Sequence, residues 1–144
     1  MDVSMIEFLR TGRLGNIAIS DTLDKVIYDL GEPDDISISR KPIIYKYGSI
    51  QFSFSKNTLG DELSTIHFYF YNYFICPRKL DFKGWMPDNQ TDLTDFLNYL
   101  NKEQIEIQKD TEHTFKDIQT GYKTDKGVVI IFNENNQLNS IHYR

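Results

Sequence analysis

This 144-residue chain holds one cysteine, one tryptophan, four prolines and three histidines. The lone thiol, Cys76, excludes an intramolecular disulfide framework and suits a reducing compartment. No apolar run approaches the roughly 20 residues that a helix needs to cross a bilayer. The opening Met1-Asp2-Val3-Ser4-Met5-Ile6-Glu7 has neither the charged n-region nor the apolar h-region of a signal peptide. Positive charge is in the minority, with 16 Lys and Arg against 21 Asp and Glu, a net charge of −5. That balance argues against a nucleic-acid or anionic-membrane surface and makes a basic protein the electrostatic match. Catalytic signatures are missing as well: there is no Gly-rich phosphate loop, no Gly-x-Ser-x-Gly elbow and no His-Glu-x-x-His pair. The expectation is a cytoplasmic protein with no catalytic residue, no cofactor and no metal.

Aromatic residues, by contrast, are plentiful. Ten Phe and nine Tyr favour strands over a helical bundle. They concentrate in Ile66-His67-Phe68-Tyr69-Phe70-Tyr71-Asn72-Tyr73-Phe74, where period two places Ile66, Phe68, Phe70 and Phe74 on one face. The other face carries His67, Tyr69, Tyr71 and Tyr73. The phenylalanine face reads as core. The tyrosine face has two readings: rings that fill the rim of a pleated surface, or a binding strip of rigid amphipathic side chains.

Along the chain, Val3 to Arg10 reads as a short N-terminal helix stopped near Gly12, followed by an extended lead-in at Leu14 to Ile19. Leu23, Val26, Ile27 and Leu30 form an i, i+3, i+4, i+7 stripe, capped by Ser20 or Asp21 and ended by Gly31 and Pro33. Strands are expected at Ile36–Ile38, Ile43–Tyr47 and Ile50–Ser55, with Gly48-Ser49 as a two-residue turn and Lys56 to Glu62 as a looser loop. Cys76 to Gln90 reads as a connection. A second stripe follows, Leu93, Phe96, Leu97 and Leu100, capped by Thr91 or Asp92. Strands are then expected at Ile105–Ile107, His113–Thr124 with an irregularity at Gly121, Val128–Phe132 and Leu138–Tyr143.

The halves agree in order. The two stripes correspond, Tyr45-Lys46 recurs as Tyr122-Lys123, and Leu63-Ser64-Thr65-Ile66-His67-Phe68 meets Leu138-Asn139-Ser140-Ile141-His142-Tyr143. The expected architecture is α+β: a short N-terminal helix and two tandem helix-plus-four-stranded antiparallel sheet units, residues 14–75 and 91–144, joined by 76–90 in one compact domain. On the outer face of the third strand, unit one has Ser49, Gln51 and Ser53 where unit two has Val128, Ile130 and Phe132. Unit two therefore either buries both faces of that strand or exposes an apolar patch, and burial is the preferred reading.

The opening of the first unit, Leu14-Gly15-Asn16-Ile17-Ala18-Ile19, then Thr22, Val26 and Leu30-Gly31-Glu32-Pro33, resembles that of tandem helix-plus-sheet proteins of the β-lactamase-inhibitor-protein type. It is also similar to single-unit SmpA/OmlA-like envelope lipoproteins. The resemblance implies a sheet whose open face grips another protein. This chain departs from the pattern in lacking a lipid-attachment cysteine and a cysteine pair within each unit.

Candidate partner-binding residues are His67, Tyr69, Tyr71 and Tyr73 on the strip, with Glu32, Asp34 and Asp35 as an acidic flank. His67 and His142, at matching positions of the repeat, are read as surface strand residues beside tyrosines in preference to metal ligands. The functional expectation is a non-enzymatic protein-binding domain, specifically an acidic bacterial immunity protein that blocks a basic toxin, acting as monomer or homodimer. Two alternatives stay open: a small enzyme or ligand-binding domain with a pocket near His67 and Tyr69, and a structural or assembly module.

Overall fold

The computed structural model describes residues 1–39 and 41–144. Two-residue strands β1 (Asp2–Val3) and β6 (Asp81–Phe82) pair in parallel, so the connecting segment is tied to the N-terminus. Helix α1 (Met5–Thr11) begins at Ser4, whose hydroxyl accepts the Glu7 N–H, and ends at Gly12 in the left-handed conformation. Helix α2 (Leu23–Leu30) is capped by Thr22, not by the expected Ser20 or Asp21. Asp21 instead accepts the Ala18 N–H and pairs with Lys25, which also reaches Asp29. Helix α3 (Leu93–Lys102) is capped by Asp92.

The strands β2 (Asp35–Ser37), β3 (Ile43–Tyr47), β4 (Ile50–Asn57), β5 (Gly60–Tyr69), β7 (Ile107–Phe115), β8 (Gln119–Thr124), β9 (Val129–Asn133) and β10 (Leu138–Tyr143) form one antiparallel sheet in the order β2-β3-β4-β5-β10-β9-β8-β7. Two tandem helix-plus-four-stranded units thus meet through their last strands, and the order reads the same from either edge. Smaller details repeat too. The ladder of β5 on β4 skips a residue at Ser64, and that of β10 on β9 skips one at Asn139. Each helix start is bridged to its own unit's closing segment, Thr22 to Glu62 within β5 and Asp92 to Gln137 just before β10.

Helices cover one face of the sheet. Phe8 of α1 packs on Phe68, Phe96 of α3 packs edge-on against Phe132, and the end of α2 is tied to the sheet where Tyr47 Oη donates to the Gly31 carbonyl. A single buried cluster joins Val26, Leu30, Phe52, Phe54, Ile66 and Phe68 with Phe96, Leu100, Ile130, Phe132 and Ile141. Leu30 and Leu100 are 4% and 1% exposed, so both helix stripes are core. Among the described residues no helix is long and apolar enough to cross a membrane.

Several sequence expectations shift. Lys56 to Glu62 is a tight hairpin, with Asn57 paired to Gly60. The expected single strand His113–Thr124 spans the turn between β7 and β8, and the irregularity lies on β7 between Asp110 and Phe115. The expected outward trio Val128, Ile130 and Phe132 faces inward, since Ile130 pairs with Ile141 and Phe132 packs on Phe96. The outward residues of β9 are Val129 and Ile131, and they too are buried. A one-residue slip in pairing the halves exchanges the two faces of a strand; burial of both faces holds, with the residues exchanged.

Candidate functional site

Opposite the helices, the sheet presents a row of side chains fixed by strand alternation and register. Lys46 pairs with Gln51, Gln51 with His67, His67 with His142, and His142 with Val129. Next to it runs a second row, in which Tyr69 pairs with Ser140, Ser140 with Ile131, and Ile131 with Gly121. The His67–His142 pairing has a further meaning. Across the central pair, Ile66 faces Tyr143 and Phe68 faces Ile141, whereas the sequence repeat matches Ile66 with Ile141. Only at His67 and His142 do pairing and repeat coincide. The approximate twofold relation between the units therefore passes between these two imidazoles.

Stacking extends the row. The His67 ring lies on Tyr69 at 4.0 Å between centroids, nearly parallel, and Tyr69 meets Tyr71 at 5.5 Å. His67 also contacts His142 at 5.0 Å. The two histidines are not the surface residues expected of them: His142 is buried and His67 half-buried. Burial, with the neighbouring His142, pushes His67 down to about 4. Burial likewise brings His142 to about 4, helped by neighbouring His113, Arg144 and Lys123 and partly opposed by Asp110. Both rings are neutral at physiological pH.

Tyr73 departs from the expected strip. β5 ends at Tyr69, and the chain bends through Tyr71–Tyr73 and folds back over the β3–β4 turn. There Ser49 exchanges two hydrogen bonds with Ile75, its N–H to the Ile75 carbonyl and its hydroxyl accepting the Ile75 N–H, each 2.8 Å. Gly48 is required at this point: its φ is +54°, and a Cβ would collide with the Ile75 carbonyl. The fold-back opens a groove of about 390 Å³ lined by Lys46, Gln51, Tyr69, Tyr71, Tyr73 and Ile75. Tyr73 thus reaches the site from a loop, 79% exposed.

The acidic flank is partly structural. Asp34 accepts the Gly48 N–H at 2.6 Å and so braces the turn beneath the groove. Asp35 accepts the N–H of Ile36, and Glu32 is exposed. Cys76 is exposed, and its thiol donates to the Leu80 carbonyl.

One residue group was not singled out in the sequence. His113 and Asp110 sit on the bulged end of β7, with His113 Nδ1 at 2.6 Å from Asp110 Oδ2. His113 lies over Gly121, where a Cβ would come within 2.7 Å of its own Cβ, and its ring meets His142 at 5.3 Å. Burial pushes Asp110 up, but the His113 bond, the Lys123 charge and the Glu112 N–H outweigh it and hold the carboxyl below its ordinary value. No family model, curated protein or solved structure matches the chain.

Proposed function

We propose that this protein is a non-enzymatic binding domain whose helix-free sheet face receives another protein, and that it serves as an acidic bacterial immunity protein blocking a basic toxin in the cytoplasm. The observation behind this reading is the row of touching rings His67–Tyr69–Tyr71, stacked at its first pair and tilted at its second, beside an open groove on the face without helices. Tyrosine loses little rotamer freedom when clamped and buries a large ring, which is how binding hot spots are made. The net charge of −5 and the exposed Glu32 and Asp35 favour a basic partner by steering its approach.

In this reading Tyr69→Ala and Tyr71→Ala each weaken the complex by about 1–3 kcal/mol and leave the fold intact. Charge removal at Glu32 and Asp35 lowers the association rate and its salt dependence more than the dissociation rate. Calorimetry and stopped-flow association with the partner measure both. Equal affinity of both tyrosine variants and wild type would refute the strip as an interface. The groove supports a second reading, a small-ligand site reaching Tyr69; a ligand that protects Tyr71 and Tyr73 from modification without any protein partner would favour it.

A further inference from the structure

All three histidines of the chain, carried by three different strands, gather on the helix-free face. His142 stands in the middle, 5.0 Å from His67 and 5.3 Å from His113 between ring centroids. His67 Nε2 and His142 Nδ1 are both buried and have no hydrogen-bond partner. An orphaned polar atom in such a place requires a reason. His113 differs: its Nδ1 lies 2.6 Å from the Asp110 carboxylate, so Nε2 is the ring nitrogen that this contact leaves unengaged. A carboxylate that orients a histidine from behind is the usual outer support of a metal-ligating imidazole.

The spacing fits the same chemistry. With metal–nitrogen bonds of about 2.0–2.1 Å at tetrahedral angles, two ligating imidazoles stand roughly 5 Å apart between centroids. Uncharged nitrogens flanked by aromatic rings select ions of the zinc, copper and nickel class over magnesium or calcium. We propose that His67 and His142, on the axis between the two units, form a two-histidine chelate for such a divalent transition-metal ion, with His113 recruited as a third ligand on binding. The competing group, Asp110, Glu112 and His113, does bring its ligand atoms within 4.8 Å of one another. Its Asp110 oxygen, however, is already engaged by His113 at 2.6 Å. This inference goes beyond partner binding and does not depend on it.

The full chain, prepared without a polyhistidine tag and stripped with a chelator, is titrated with zinc by calorimetry and with cobalt by visible absorption. One ion per chain is expected, with the intensified absorption of nitrogen-ligated tetrahedral cobalt. His67→Gln and His142→Gln each lower affinity about 100-fold, and His113→Gln and Asp110→Asn about 10-fold, the effect of a recruited ligand and its support. Trp85 fluorescence checks that each variant is folded. Because His67 is half-buried, His67→Gln decides the matter if His142→Gln fails to fold. Absence of zinc, copper and nickel binding to the wild type overturns the proposal. So does binding that His67→Gln retains in full, which would mark an adventitious ion only.

Discussion

Leu30→Ala is the perturbation that bears most directly on how the two units share a core. Leu30 is 4% exposed at the end of α2, and its counterpart Leu100 on α3 is 1% exposed. Truncation removes three carbons from a site that water does not reach. At about 0.8 kcal/mol per buried methylene the transfer loss is roughly 2.4 kcal/mol, and a partly relaxed cavity raises the total to about 2–5 kcal/mol. With a mid-range urea slope of about 2 kcal/mol per molar, the midpoint falls by about 1–2.5 M. The useful reporter is remote: Trp85, in the segment before the second unit, stacks on Tyr99 at 4.2 Å and meets Phe96 edge-on. Because one cluster joins Leu30 to Phe96, Trp85 fluorescence and far-UV circular dichroism lose their native signals together, at the same lowered midpoint. Leu100→Ala gives the same coincidence. A Leu30→Ala protein whose Trp85 transition stays at the wild-type midpoint, while the dichroism splits in two, would refute a shared core.

Other expectations follow from single contacts. Gly121→Ala places a methyl against His113 and costs about 1–3 kcal/mol, read as a lowered melting temperature. Thr22→Ala and Asp92→Ala each remove one helix cap and cost about 1 kcal/mol in chemical denaturation. Burial, with the charges around Tyr45, Glu32 and Asp34, pushes the Tyr47 hydroxyl up to about 12. Folded Tyr47 therefore holds its proton more tightly than the unfolded chain does. Its contribution is whole below pH 10 and lost between about 10 and 12, so wild type loses stability over that window faster than Tyr47→Phe. Asp35→Ala, on the exposed edge strand, stays within about 0.5 kcal/mol.

Much of the fold was legible because its signals are local. The stripes through Leu30 and Leu100, the glycine after α1 and the Gly48-Ser49 turn each state their structure within a few residues. The matched ending at Ile66-His67 and Ile141-His142 carried the tandem arrangement. Face assignment in the second unit was not legible, because β9 is apolar on both sides and offers no alternation to fix its register. Similarly, the β7 bulge that lifts His113 over Gly121 has no sequence signature beyond the glycine itself. The site was half visible. Strand alternation placed His67, Tyr69 and Tyr71 together, whereas Tyr73 arrives by a chain reversal and Asp34 is absorbed by Gly48. The meeting of His67 with His142 depends on register between strands 75 residues apart in the repeat, Ile66 to Ile141 as His67 to His142, which no local pattern specifies.

The claim that the helix-free face is the binding surface is tested most directly by site-specific photocrosslinking in the cells that make the protein. A photoreactive phenylalanine analogue replaces Tyr71, 64% exposed beside the groove, or Tyr28, 85% exposed on α2. The purified crosslinked partner is then bound to wild type and to Tyr69→Ala. A binding surface on this face gives a discrete adduct from position 71, none from position 28, and weaker binding of Tyr69→Ala. A discrete adduct from position 28 with none from position 71 would contradict it.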